Sequence, residues 1–110
     1  MILDKQGSIT VVYQEDSSLE RFISRFKESY SALGNTHIIV NLFSFSELKS
    51  GDVLEFLEFS NTHRSANKSF VLVTDKVSYG EIPDDICVVP TLQEARDIIE
   101  MEDIERDLGL

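Results

Sequence analysis

A chain of 110 residues is the size of one domain and buries roughly two thirds of its unfolded surface, enough for one sheet with helices packed on it and not for a second domain. Its formal charge of -10 sets it against nucleic-acid phosphates and anionic lipid head groups, so neither is an expected ligand; a basic or neutral protein face is the better match, and a plain solubilising role for the charge competes with that reading. A hydrophobic share of 42% with 7 Phe and no Trp predicts an aliphatic core with scattered Phe.

The only cysteine, Cys87, lies in the apolar run Ile86-Cys87-Val88-Val89. It cannot form an internal disulfide and reads as a small core residue. No apolar stretch approaches the ~20 residues of a membrane span, and Met1 to Lys5 lacks a basic region followed by a long apolar one. The expected location is the cytoplasm of a bacterium-like cell.

In chain order, Ile2 to Lys5 and Ser8 to Tyr13 are two β-like runs around Gln6-Gly7, where Gly7 supplies the positive φ of a tight hairpin. Ser17-Ser18-Leu19-Glu20 reads as a capping box, with the Ser17 hydroxyl accepting from the Glu20 N–H. Leu19, Phe22, Ile23, Phe26, Tyr30 and Leu33 then make one helical stripe, and Gly34 is its expected left-handed stop. The apolar run His37 to Leu42 predicts a strand covered on both faces, as in a parallel sheet. After the Ser-rich connection 43–48, Ser50 is expected to cap a helix carrying Val53, Leu54, Phe56, Leu57 and Phe59, with Asp52 in its first turn. The polar run Ser60 to Lys68 should end that helix and start a loop.

Phe70 to Thr74 is a second buried-strand signature, and Asp75 to Asp85, with Gly80 and Pro83, a connection with a short turn. Ile86 to Val89 is a last strand stopped by Pro90. Thr91-Leu92-Gln93-Glu94 is a capping box opening a helix with Leu92, Ala95, Ile98, Ile99, Met101 and Ile104, fraying near Gly109. The order β-β-α-β-α-β-β-α predicts a single α/β domain over residues 1–110, with an opening antiparallel hairpin followed by parallel strands joined through right-handed crossovers.

The residue types limit the chemistry. The only histidines, His37 and His63, are far apart, and neither stands at helical spacing from a second ligand type; both read as structural, and no metal is expected. There is no Gly-x-Ser-x-Gly elbow and no Cys beside a His base. The glycines are isolated, and Asp52 would repel a phosphate near Gly51. No catalytic residue and no cofactor is therefore expected. The last helix carries Glu94, Asp97, Glu100, Glu102, Asp103, Glu105 and Asp107 against Arg96 and Arg106, either as a solvated outer face or as a docking surface for a basic partner. Ser44, Ser46 and Ser50 cluster before and at the second helix. A phosphate on Ser50 would meet the free N–H groups of a helix start, which makes Ser50 the phosphorylation candidate; the same place suits an ordinary cap.

These residues resemble the STAS family, the sulfate-transporter and anti-sigma-factor-antagonist domains. The likeness runs over most of the chain: the opening hairpin, Ile38-Ile39-Val40-Asn41-Leu42 before a Ser-rich turn, Lys49-Ser50-Gly51 opening a helix, Phe70-Val71-Leu72-Val73, and Val88-Val89-Pro90-Thr91-Leu92-Gln93-Glu94-Ala95. The resemblance implies a STAS-like mixed sheet and a non-catalytic regulatory module. A protein partner, kinase-like or sigma-regulating, would dock around the loop before the second helix, with Ser44, Ser46, Lys49, Ser50 and Asp52 as candidate contacts. The family pattern is altered here: its strand-end Asp is Asn41, the Asp before its phosphorylated Ser aligns with Lys49, Ser50 takes the first small position, and Gly51 takes the phosphate-bearing one.

The chain is also similar to short bacterial STAS-like proteins that carry the label ribonuclease Z, although it lacks the His-x-His-x-Asp-His zinc motif of true ribonuclease Z enzymes. The label is expected to be mistaken, and chelator-sensitive cleavage of precursor tRNA by the pure protein with added zinc would overturn that expectation. Two other readings stand beside the regulatory module. One is a small enzyme, or a nucleotide or metabolite binder, using a pocket near Gly51 and Asp75. The other is an accessory subunit, for example of an RNA-processing enzyme, pairing through the exposed edge of the hairpin. A monomer or weak homodimer is expected.

Overall fold

Gly7 takes φ +62°, the left-handed conformation a tight hairpin needs, and turns Ile2–Gln6 (β1) back on Ile9–Tyr13 (β2). The computed structural model describes residues 1–14 and 18–109. β3 (His37–Asn41), β4 (Phe70–Val73) and β5 (Cys87–Val89) complete a five-stranded sheet in the order β1-β2-β3-β4-β5. Only β1 and β2 pair antiparallel; β2 to β5 are parallel neighbours, with Val11 opposite Ile39, Ile39 opposite Val71 and Val71 opposite Cys87. This is the mixed sheet expected, and the runs at Ile38 and Phe70 are adjacent central strands.

Alternation along the strands divides the core in two. Val12, Ile38, Val40, Phe70 and Leu72 face α1 (Leu19–Ser29), α2 (Ser50–Leu54) and α3 (Leu57–Ser65). Val11, Ile39, Val71 and Val73 face the other way, against Ala95 and Ile99 of α4 (Leu92–Asp107). The Phe residues are not scattered as expected. Phe22, Phe26, Phe56, Phe59 and Phe70 gather under α1 and α3, with Phe26 edge-on to Phe59 at 4.9 Å and to Phe56 at 5.9 Å. Such edge contacts place the positive rim of one ring on the negative face of the next. No helix among the described residues is long and apolar enough to cross a membrane.

Several local expectations are corrected. Ser18 is the N-cap of α1, its hydroxyl accepting from the Arg21 N–H at 3.2 Å; the Ser17 hydroxyl proposed for this role lies outside the described residues. Gly34 has φ -62° and is no left-handed stop, because α1 instead tightens into a 3-10 turn over Tyr30–Leu33. The expected single second helix is two. Glu55 and Phe56 N–H groups bond three residues back, to Asp52 and Val53, which closes α2 early and buries Phe56 fully before α3 begins.

The polar run from Ser60 is not a loop but the body of α3. Ser60 and His63 are buried because each finds a partner inside. The stop comes at Asn67, which takes φ +62° while Asn67 and Lys68 donate to the Arg64 and His63 carbonyls. That is a Schellman closure with Asn in the left-handed position. α4 opens as expected, the Thr91 hydroxyl accepting from Glu94 N–H at 3.1 Å, and Gly109 at φ +74° closes it.

Candidate functional site

In a parallel sheet, the loops at the carboxyl ends of the strands form the natural ligand edge. Here that edge begins at Asn41. Its side-chain oxygen accepts from the Phe43 N–H at 2.9 Å, turning the chain sharply out of β3. The turn exposes Phe43 (49% accessible), the one exposed ring among 7 Phe, while Phe45 tucks in against Phe22 at 6.0 Å. Next to Phe43, the exposed Ser44 donates to the side chain of Gln14, beyond the end of β2.

Lys49 is the N-cap of α2, and Ser50, expected to be the cap, is the first helical residue. The Lys49 backbone N–H is held by the Asp52 carboxylate at 2.9 Å. This half of a capping box needs no acceptor on the Lys49 side chain, which is left exposed. Ser50 Oγ donates to Glu81 Oε2 at 2.6 Å, tying α2 to the 3-10 turn Tyr79–Glu81 before β5. A phosphate on Ser50 would thus meet the Glu81 carboxylate directly, with Asp52 only two residues on, and Coulomb repulsion would oppose the contact.

The structure therefore gathers Ser44, Ser46, Lys49, Ser50 and Asp52 on one connection at the carboxyl end of the sheet, with unequal roles. Ser44, Ser46 and Lys49 are exposed; Ser50 and Asp52 are half-buried and committed to Glu81 and to the helix cap. Phe43 and Leu54 were not among the candidate contacts read from the sequence; they are 49% and 41% accessible, Phe43 on this connection and Leu54 on α2, where the sequence had it on the packed face. The available signal was Asn41, a residue able to turn on its own backbone directly before an apolar pair. A shallow cleft of about 320 Å³ lies alongside, lined by Asn41, Phe43, Val73, Pro90, Thr91 and Leu92.

The opposite edge of the sheet holds the other polar groups. His37 is 4% accessible, and its Nδ1 accepts from the Ser69 N–H at 2.9 Å. The ring proton is therefore on Nε2, facing Asp103 Oδ1 at 3.0 Å. His63 Nε2 donates to the Thr36 carbonyl at 2.6 Å, so its Nδ1 accepts from the Tyr30 hydroxyl at 2.9 Å. Burial pushes both histidines below the ordinary imidazole range, with Asp103 opposing the shift at His37 and the Thr36 carbonyl opposing it at His63.

Ser69 Oγ donates to Glu102 at 2.5 Å and accepts from Arg106 at 2.8 Å, and Glu102 also pairs with Arg64 at 2.9 Å. A buried Ser, a His and acids stand close together, yet the Ser69 hydroxyl proton goes to Glu102, and His37 receives only the backbone N–H of Ser69. The Ser69 hydroxyl is held between Glu102 and Arg106. Both histidines are committed to buried hydrogen bonds at this edge, His37 to Ser69 and His63 to Thr36 and Tyr30.

Cys87 is half-buried at the β5 edge, in contact with the α4 face of the core. It lines an open cleft of about 560 Å³ with Arg64, Tyr79, Ile98 and Glu102. Burial raises its thiol pKa, the opposite of what a reactive cysteine needs. No group of three or more His, Cys, Asp or Glu able to hold a metal ion occurs among the described residues. Gly51 and Asp75 line neither cleft; Asp75 pairs with Lys76 at 3.2 Å.

No protein-family model and no curated protein sequence matches the chain. Solved structures do. A serine-to-glutamate variant of RsbS from Moorella thermoacetica superposes with a TM-score of 0.67 at 14% identity, covering 96% of this chain and 97% of that one. A chain from the molecular architecture of the stressosome, described as a signal integration and transduction hub, superposes with a TM-score of 0.59 at 15% identity, covering 90% and 96%. The α/β fold is the STAS-like fold that the sequence led us to expect.

Proposed function

We propose that this chain is a non-catalytic regulatory module of STAS, anti-sigma-antagonist-like type, which docks a protein partner through the connection before α2 and the start of that helix. The observation that carries the reading is the exposed Phe43 on the same connection as the exposed Ser44, Ser46 and Lys49, at the carboxyl edge of the sheet. An exposed aromatic rimmed by short polar side chains is the composition of a protein-contact surface. The shared fold with RsbS and with the stressosome chain supports the regulatory class.

On this reading the partner is a protein of kinase-like or sigma-regulating kind. Ser50 is the residue through which a modification would act. Its phosphorylation would break the contact to Glu81 and free the Tyr79–Glu81 turn, in keeping with a switch that dissociates a complex. The test is quantitative affinity capture from native lysate with the wild-type chain, Ser44→Glu and Ser50→Glu. A protein retained by the wild type and lost with both variants supports the reading. An identical captured set for all three places the docking surface elsewhere.

A small-ligand binder is the second reading, favoured by the apolar cleft under Phe43 and moved there from Gly51 and Asp75. A thermal-shift panel of nucleotides and metabolites separates the two. A ligand at about 100 times its dissociation constant stabilises by about 2.7 kcal/mol, and a flat panel leaves the protein-docking reading in place.

A further inference from the structure

α4 has two apolar faces and only one of them is covered. Ala95 and Ile99 are buried against the sheet. On the opposite side of the helix, Met101, Ile104 and Leu108 are 56%, 54% and 68% accessible. Isolated exposed apolar residues are ordinary. These three, however, follow one another at spacings of three and four residues, the a–d–a seam of a helical heptad.

In that register the positions flanking the seam are Glu100, Glu105 and Asp107, all exposed acids with no cationic partner among the described residues. The two arginines of the helix are turned away from it. Arg96 donates to Gln6 of β1 at 2.8 Å, and Arg106 is held by Asp103 at 3.0 Å and by Ser69. From Glu100 onward the outer face of α4 is thus an apolar ridge with acids on both rims and both helix cations withdrawn; one heptad earlier the seam positions are the acids Glu94 and Asp97.

We infer that this ridge docks a basic amphipathic helix of a different protein, pairing seam to seam with Lys or Arg against Glu100, Glu105 and Asp107. Flanking charges choose the partner in such pairings. A second copy of this chain is disfavoured, since it would set acid against acid on a molecule already carrying a formal charge of -10. The inference does not rest on the reading of the loop before α2, which uses other residues on another part of the surface.

The test uses two synthetic helical peptides with Leu at the seam positions, one with Lys and one with Glu at the flanking positions. Binding to the full chain is read by fluorescence anisotropy. The Lys peptide should bind, weaken as salt rises from about 50 mM to about 500 mM, and weaken by about tenfold or more on the combined change Met101→Gln, Ile104→Gln and Leu108→Gln. The charge-reversed chain, Glu100→Lys with Glu105→Lys and Asp107→Lys, should lose the Lys peptide and take the Glu peptide. Circular dichroism of each variant confirms that these exposed changes leave the fold intact, and Phe43→Asp should leave peptide binding unchanged. Failure of the Lys peptide to bind, equal binding of both peptides, or binding indifferent to the seam and charge changes would overturn the inference. Concentration-dependent self-association of the wild type that disappears in the seam variant would also overturn it, assigning the ridge to a second copy.

Discussion

The two ends of the parallel strands carry similar polar residues and treat them in opposite ways. At the amino end, Thr10, Thr36, His37, His63 and Ser69 are all buried. Each is bonded: Thr10 to Thr36 at 2.8 Å, His63 to Tyr30 and Thr36, and His37 to Ser69 and Asp103. No buried side-chain polar atom lacks a partner among the described residues. At the carboxyl end, Ser44, Ser46 and Lys49 stand exposed on the connection that carries the exposed Phe43. At the amino end a histidine and its neighbouring acids are committed to packing and hydrogen bonds, whereas the serines of the carboxyl end are left exposed, which is what the proposed docking reading draws on. Buried polar groups cost stability unless paired, so a complete network signals structure.

The largest effects are expected at the amino end. His63→Ala leaves a cavity beside Phe70 and removes the partner of the Tyr30 hydroxyl and of the Thr36 carbonyl. A loss of about 3 kcal/mol is expected in chemical denaturation; a loss below about 1 kcal/mol would mean the network is incidental. Glu102→Ala strips Arg64, Arg106 and Ser69 of a shared acceptor, but Glu102 and the two arginines are partly solvated at 25–30%. Water replaces part of the contact, and about 1–2 kcal/mol is expected.

Acid acts on the same buried network. Both histidines are held neutral by burial, with folded pKa values below the ordinary 6.5. As pH falls through about 6.5 the unfolded chain takes up protons that the folded chain refuses, so stability drops, and the loss is complete only below the folded pKa values. Above that window their contribution is flat. Denaturation midpoints between pH 7.5 and 5 should fall for the wild type and fall less for a His63→Gln chain. At the carboxyl end, Ser44→Ala and Ser50→Ala should each change stability by less than about 0.5 kcal/mol, the smallest effects here, because both hydroxyls lie where water can take over.

Strand positions were legible because each central strand is an uninterrupted apolar run between turn signals, and α4 because Thr91 and Glu94 announce its start. The break between α2 and α3 was not. Val53, Leu54, Phe56, Leu57 and Phe59 suit one broad helical face, and only the tight bonds of Glu55 and Phe56 divide it. The polar stretch from Ser60 read as a loop because its burial depends on partners distant in sequence, Asp85 for Ser60 and Thr36 with Tyr30 for His63. At the candidate site, the serines and Lys49 were visible as residue types at a helix start. The exposure of Phe43 was hidden, since it follows an apolar strand and is turned outward only by the Asn41 side chain.

Site-specific photo-crosslinking tests the central contrast most directly. A benzoylphenylalanine is placed at Phe43 in one chain and at the exposed Ala66, just past α3 on the way into β4 at the other end of the sheet, in a second chain. Both are irradiated in native lysate. The expected result is a discrete protein adduct from position 43 that vanishes with Ser44→Glu, and none from position 66. An adduct from position 66 with none from position 43 would contradict the assignment of recognition to the carboxyl edge.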